Sequence, residues 1–574
     1  MNFKKLTALL ISAVLSVASF SACTSVPASS EDTSSSKEGN ISSQSEDDKL
    51  MDSDVEVSAP GKYPIVIGDK VTLTAFGTPG NDTKAKHDAQ SNPASKWFEE
   101  LTNVHIEWNL TTGADKTAKL NLIFQGGEYE DIIFGSSWNG AVQTSYADQG
   151  FIIPLNEYVE NDAYWYNKFL ETGLDEGVLK QKTLDTMYML DGNIYAMHAI
   201  PTTFHSQYAS KMWIYEPWLK AVGKEMPTTT DEFYDVLTAF KNDDPNGNGK
   251  ADEIPLSGAN GGWNSNPMEF LMNSFTYYDI NGKTYVKDGK VTLSYMEDEF
   301  KNGLIWMNKL YEDGLLSQDA FVQNANGLKV LTAGEVNLVG CAPGGAIGSV
   351  TAVTNGKEGD WTNWVALPPL EGPDGVKYAK YTPPTPSAQA HITDNCEYPR
   401  VAFKLIDSLY DWEKVGYNLY EGPEYWELNP EDKIAINGEP AKYVRWIPEG
   451  ELNYGWSVGT VWTGGPGWHS YQAMMSEDAS VDNETILYNS SVPYSQCQPP
   501  IEYILPSLIY DEDDSKSVTD YTTTINEYIN AQTVDMILTG DIEEKWDTYI
   551  SELEARGTKE LLEIQQVAYE ARIK

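Results

Sequence analysis

Residues 71–135 carry the pattern that most restricts the fold. KVTLTAFGT alternates apolar and polar side chains as a strand does, and ASKWFEELTNV spaces its apolar residues as a helix does. HIEWNL returns to strand, TAKLNLIFQGG reads as a helix closed by glycines, and DIIFG (131–135) is the apolar run of a buried strand. Strand, helix, strand, helix, strand predicts an α/β layer with parallel pairing, because each helix carries the chain back across one face of the sheet. Ligands of open α/β sheets bind beyond the carboxyl ends of strands. Trp138, in SSWNG directly after DIIFG, is therefore a candidate binding residue.

A second unit begins near YASKMWIYEPWLKAVG, with a strand expected over 208–215 and Pro217 in the first turn of the helix that follows. TTTDEFYDVLTAFK predicts a helix with Thr230 as N-cap and Phe233, Val236, Leu237 and Phe240 as its apolar stripe. DEFKNGLIWMNKLYEDGLL predicts another, ended by Gly314, and EVNLVG a buried strand. IEEKWDTYISELEARG and TKELLEIQQVAYEARIK read as two closing helices. At 574 residues the chain exceeds what one core serves, so at least two domains are expected.

A net charge of -45 repels nucleic-acid phosphates and anionic headgroups, which excludes a nucleic-acid partner. The N-terminus has the form of a secretion signal: MNFKK is basic and LTALLISAVLSVASF is apolar but too short to span with flanks of its own. FSAC resembles a bacterial lipobox, which makes Cys23 the expected lipidated residue, with two acyl chains for stable anchoring. The Ser-, Asp- and Glu-rich stretch after it buries too little apolar surface to fold and reads as a tether. Cys341, Cys396 and Cys497 show no metal-binding spacing, and one disulfide among them is open from sequence.

DDPNGNGKADEIPLSG (243–258) sets oxygen donors at alternate positions. Counted from Asp244, it matches a calcium loop at position 1 (Asp244), 3 (Asn246), 5 (Asn248), 7 (Lys250, through its carbonyl) and 9 (Asp252), with Gly249 at position 6. Pro255 stands where the loop's bidentate Glu is expected, and Glu253 is the nearest carboxylate. With no nucleophile or His beside it, the loop is expected to hold a structural Ca²⁺ at the end of the Phe233–Phe240 helix.

Across these segments the chain resembles the extracellular solute-binding proteins of bacterial ABC importers, in the sugar-binding branch. The resemblance is carried by GFIIPLNEYVE, DGNIYAMHAIP, LYEDGLLSQDAF, GYNLYEGPEYW, the closing helices and, most specifically, WIYEPWLKAVGKEMPTTTDEFYDVLTAFKNDDPNGNGKADEIPLSG. Members similar to alginate-oligosaccharide binders share the DPNGNGKADEIP pattern, which implies Ca²⁺ held by Asp244, Asn246, Asn248, Lys250, Asp252 and Glu253. The resemblance implies a periplasmic-binding-protein-like α/β fold, two lobes on a hinge with a ligand cleft between them. The expected organisation is signal peptide 1–22, tether 23–61, lobe 1 from 62–209 and 386–500, and lobe 2 from 210–385 and 501–574.

A sugar offers apolar ring faces to aromatic planes and a hydroxyl rim to polar side chains. Trp138, Trp263 in ANGGWNSN, and Trp462 and Trp468 in VWTGGPGWHS are loop tryptophans beside small residues, and Trp456 in NYGWSVG is a further candidate. His205 and Tyr208 lie at the expected crossing between lobes, and Arg445 is a candidate partner for an acidic sugar. Trp97, Trp218, Trp306 and Trp546 lie on helical stripes, and Trp213 in a strand, where packing accounts for them. The expected function is a lipid-anchored, non-enzymatic, monomeric capture subunit on the outer face of the cell membrane. It delivers an oligosaccharide to ABC permease subunits. The rival reading is a secreted calcium-containing glycoside hydrolase, which needs two carboxyls flanking the bond. A dockerin-like module is disfavoured because it needs two calcium loops.

Overall fold

The computed structural model describes residues 54–573 except 79–87, 113–114, 137, 139, 173–186, 200–202, 280–282, 355, 421, 424–425, 446–473 and 476–477. Cys23, Trp456, Trp462 and Trp468 lie outside the described residues, as do the signal peptide and most of the tether.

Two sheets organise the chain. The first is built from β1 (Val71–Gly77), β2 (Val104–Leu110), β3 (Ile132–Phe134), β4 (Met197–Ala199) and β9 (Ser387–Ile392), in the order β2-β1-β3-β9-β4. β1 pairs in parallel with β2, Val71 opposite Val104, and with β3, Ala75 opposite Ile132. The helices between them are α1 (Pro93–Thr102) and α2 (Lys116–Gly126). This is the crossover arrangement read from the alternation. Asn92 caps α1 by accepting the Ala94 N–H, and Ala94, Phe98 and Thr102, four residues apart, form its buried stripe. β9 is the strand that local sequence does not announce. It enters antiparallel between β3 and β4 from more than two hundred and fifty residues downstream, setting His391 opposite Ile133.

The second sheet comprises β5 (Met212–Tyr215), β6 (Ile254–Leu256), β7 (Val339–Pro343) and β8 (Trp364–Leu367), in the order β8-β5-β7-β6. β6 and β7 run parallel, Val339 beside Ile254, and β5 lies antiparallel to both β7 and β8. The sheet is covered on both faces. Met212 and Ile214 enter one core and Trp213 the other, as strand alternation requires. Trp218 and Trp546 are buried, in keeping with packing roles, while Trp97 and Trp306 are half-buried against the cores.

Three boundaries differ from the sequence reading. The strand expected over 208–215 is β5, Met212–Tyr215, because Phe204–Gln207 forms a helical turn and Tyr208 turns into the core. The helix α4 spans Thr230–Asn242, and its N-cap is Thr229, which accepts the Glu232 N–H at 3.1 Å. Glu232 reaches back to the Thr228 N–H at 2.8 Å, so the cap sits one residue earlier than Thr230. β7 starts at Val339 rather than Glu335, because the Asn337 side chain bonds both the N–H and the carbonyl of Val339 and turns the chain there. The helix α5 (Asp298–Glu312) ends ahead of Gly314, whose φ of +66° is the left-handed conformation glycine adopts freely.

Separate apolar cores lie against the first sheet and against the second. The helix α7 (Asn483–Ser495) belongs with the second. Its Tyr494 hydroxyl accepts the Met212 N–H at 3.1 Å and donates to the Leu367 carbonyl. The helices α8 (Glu512–Thr539), α9 (Ile542–Ala555) and α10 (Thr558–Arg572) complete the second core through Ile529, Ile537, Trp546, Leu553 and Leu561.

Candidate functional site

A cavity of about 580 Å³ opens where the chain passes between the sheets. Ser206 and Ala209 from the β4–β5 passage, Thr382 and Pro383 from the β8–β9 passage, and Tyr503 and Leu505 ahead of α8 all line it. Three segments distant in sequence thus line one cavity.

Trp263 stands in this cavity with 49% of its surface exposed. β6 and β7 are parallel neighbours, and their carboxyl ends deliver Trp263 and Gly345 to the same place. Gly345 N–H donates to the Trp263 carbonyl at 2.9 Å. A Cβ built on Gly345 would lie 2.4 Å from the indole, so only glycine lets the ring lie against the backbone. One part of the indole is backed by main chain while the rest faces the cavity, as a sugar-stacking platform requires.

The indole is also held by its polar edge. With the Asn264 amide oriented so that both its ends are satisfied, its oxygen accepts from Trp263 Nε1–H at 3.1 Å and its nitrogen donates to Glu269 Oε2 at 2.6 Å and Ser210 Oγ at 3.2 Å. Glu269 lines the cavity though it is 7% exposed, and burial pushes its carboxyl up to about 7. Asp279 lines it too and pairs with Lys380 at 2.8 Å. Tyr277 and Tyr503, whose ring centres are 6.4 Å apart, form an aromatic wall.

The other candidates disperse. Trp138 packs at a tilt against Tyr146, with ring centres 4.6 Å apart, and against His391 at 4.4 Å, and is half-buried in the aromatic group around Phe124. His391 is locked beneath it: Nδ1–H donates to the Tyr195 carbonyl at 2.8 Å and Nε2 accepts from Ser136 Oγ at 2.9 Å. Burial pulls that imidazole down to about 4. His205 approaches Glu484 at 3.9 Å and stands edge-on to Trp263 with ring centres 6.5 Å apart. It is held down to about 4 by burial and by Lys211. Tyr208 is 5% exposed, its hydroxyl donating to Gln498 Oε1 at 2.7 Å. Arg445 ends the short strand Tyr443–Arg445, opposite Trp426. Sequence reasoning missed Glu269, Asp279, Lys380, Tyr277 and Tyr503. None stands in a motif, and only folding brings 269–279 to 380 and 503.

The acidic loop folds as its spacing demands. Asp244, Gly247 and Gly249 take left-handed φ of +47°, +68° and +73°. Asp244 accepts the Asn248 and Gly249 N–H groups at 3.1 Å, and Asn246 and Asn248 both donate to Asp252 Oδ1, at 3.1 and 2.9 Å. Among the described residues no set of three His, Cys, Asp or Glu side chains forms a metal cluster, so the donors here are a mixture of carboxylate, amide and carbonyl. That mixture suits a hard ion rather than a transition metal. Glu253 fits the same reading: its Oε1 is buried without a hydrogen-bond partner. Its carboxyl is raised by burial and by repulsion from Asp244 and Asp252. A cation would relieve all three. β6 leaves this loop at Ile254, so the loop braces the strand that carries Trp263 to the cavity.

A family model described as bacterial extracellular solute-binding protein matches residues 82–472. The fructooligosaccharide ABC transporter substrate-binding protein FusA of Streptococcus pneumoniae is 28% identical over 499 residues, covering 82% of this chain and 86% of that protein. Lipoprotein LipO of Bacillus subtilis is 26% identical over 309 residues, covering 53% of this chain and 57% of LipO. Among solved structures, FusA in complex with kestose superposes with a TM-score of 0.68 at 25% identity, over 87% of this chain and 99% of that one. A FusA EF-hand mutant in complex with fructo-nystose gives 0.66 at 24% identity, over 87% and 99%. An HMO binding ABC-transporter associated solute binding protein from Bifidobacterium longum infantis gives 0.71 at 20% identity, over 88% and 99%.

Proposed function

The chain belongs to the family of bacterial extracellular solute-binding proteins, and from that premise we propose that it captures an oligosaccharide outside the cell and delivers it uncut to an ABC permease. The observation that carries the reading is Trp263, an indole backed by Gly345 and open to a cavity lined from both passages between the sheets. Its face takes the apolar side of a sugar ring. Glu269, Asp279 and Lys380 meet the hydroxyl rim. A guest touching both passages favours the closed arrangement by its differential contacts, with no bond made or broken.

The FSAC motif and the similarity to lipoprotein LipO support anchoring through Cys23. The tether of 23–61 then spaces a monomer from the outer face of the membrane. The donor set from Asp244 to Glu253, and a relative studied as an EF-hand mutant, support a structural Ca²⁺. Trp138, His205, Tyr208, Trp456, Trp462 and Trp468 remain candidates for further contacts, with Trp263 the principal one.

One observation favours the rival reading: Glu269 and Asp279 are two carboxyls lining one cavity. Both are already engaged, Asp279 by Lys380 and Glu269 by Asn264, and FusA is a binding protein. Calorimetric titration with tri- and tetrasaccharides tests the proposal, followed by assay of the recovered ligand for new reducing ends. Saturable binding with intact recovery is expected. Cleaved ligand would establish the hydrolase instead.

A further inference from the structure

The charges around the cavity bear on which saccharides it accepts. Among the described residues lining it, the ionisable side chains that carry charge are Glu269, Asp279 and Lys380. Lys380 is committed to Asp279 at 2.8 Å and is itself only 7% exposed, so its charge is already matched. Glu269 is held toward the cavity by the same Asn264 amide that fixes the Trp263 indole. A carboxylate on a guest lying against Trp263 would thus meet two acids and a lysine that has its partner. A neutral ring would meet acceptors suited to its hydroxyls, since hydroxyl-to-carboxylate hydrogen bonds are charge-assisted.

Resting on the capture reading above, we propose that Glu269 is a specificity-determining residue that makes this cleft select neutral oligosaccharides over those bearing carboxylates. The charged and titratable groups facing Glu269 are Lys380, Asp279 and Lys283, with the Asn266 N–H also donating to it. Burial dominates and raises the Glu269 carboxyl to about 7, so the group gains its charge within the ordinary working range. Repulsion of a uronate therefore grows as pH rises through that range, while a neutral sugar keeps its acceptor. Lys283, lowered by burial to about 8, loses charge at the upper end and adds to the same trend.

The test is calorimetric titration of the full chain with kestose and maltotriose as neutral probes and trigalacturonate as the acidic one, between about pH 5.5 and 8.5. Trigalacturonate affinity is expected to fall on the order of tenfold across that range, the size of one added like charge in a partly buried site. Neutral probes should change by less than about threefold. E269Q keeps an oxygen to accept from Asn264, and it should flatten most of the trigalacturonate slope. The wild-type pH series stands by itself should that variant misfold. Trigalacturonate binding at high pH as tightly as the better neutral probe would overturn the inference and leave the capture reading intact. So would a slope unchanged in E269Q. Failure of every saccharide to bind would sink the capture reading and this inference together.

Discussion

Trp138 and Trp263 occupy similar local sequence, SSWNG and GGWNS, and each follows a strand. Trp138 packs at a tilt against Tyr146 and a buried His391, while Trp263 rests on Gly345 and stays 49% exposed. The difference comes from the strand that arrives beside each. β9 brings an imidazole under Trp138, and the loop after β7 sets Gly345 beside Trp263. Loop tryptophans near small residues are good candidates for sugar contact, but a neighbour far along the chain decides whether the ring stays free.

The largest effect expected from this contrast is on stability. Trp138→Ala removes an indole from an aromatic stack and should cost about 3 kcal/mol, read as a lower urea midpoint. Should the midpoint move by less than about 1 kcal/mol, Trp138 is no packing residue and regains its standing as a platform. Calcium chelation comes next and acts on the other side of the comparison, through β6. Removing an ion held near saturation should lower stability by roughly 2 to 3 kcal/mol and weaken ligand binding with it. A melting temperature indifferent to chelator would remove the structural ion from the account.

Trp263→Ala should weaken oligosaccharide binding by about 2 kcal/mol, a loss of some thirtyfold, with stability changed by less than about 1 kcal/mol. An undiminished affinity would move the platform elsewhere in the cleft. The acid response of the Trp138 side depends on pH alone. Burial holds His391 at about 4 and His198 at about 3, each below the ordinary imidazole range. The unfolded chain binds those protons first, so stability is fully present above about pH 6.5 and lost as pH falls toward 4, by roughly 3 kcal/mol for each histidine at the lower end. A thermal-melt series that is flat through that window in the wild type, or equally steep in His391→Gln, would detach the slope from this histidine.

Much of the framework was legible. The alternation over 71–135 indicated parallel pairing of β1, β2 and β3, and the stripe of Phe233, Val236, Leu237 and Phe240 is the buried face of α4. The loop from Asp244 to Glu253 was readable as a donor array because all its members lie within ten residues. The antiparallel entry of β9 was not legible, since SAQAHI carries no mark of the strand it joins. Nor was the place of α7, whose tie to the second core runs through the Tyr494 hydroxyl.

The sequence by itself determined what depends on near neighbours: which stretches become strand or helix, where they are capped, and the geometry of the acidic loop. Backbone preference and hydrogen bonding between residues a few positions apart are enough for that. Only the tertiary structure decided which tryptophan would be left open and which carboxyls would face it. Those outcomes depend on the packing of Gly345, Lys380, His391 and Tyr503 against partners far along the chain, and no local pattern encodes a contact between surfaces that meet only after both sheets have formed.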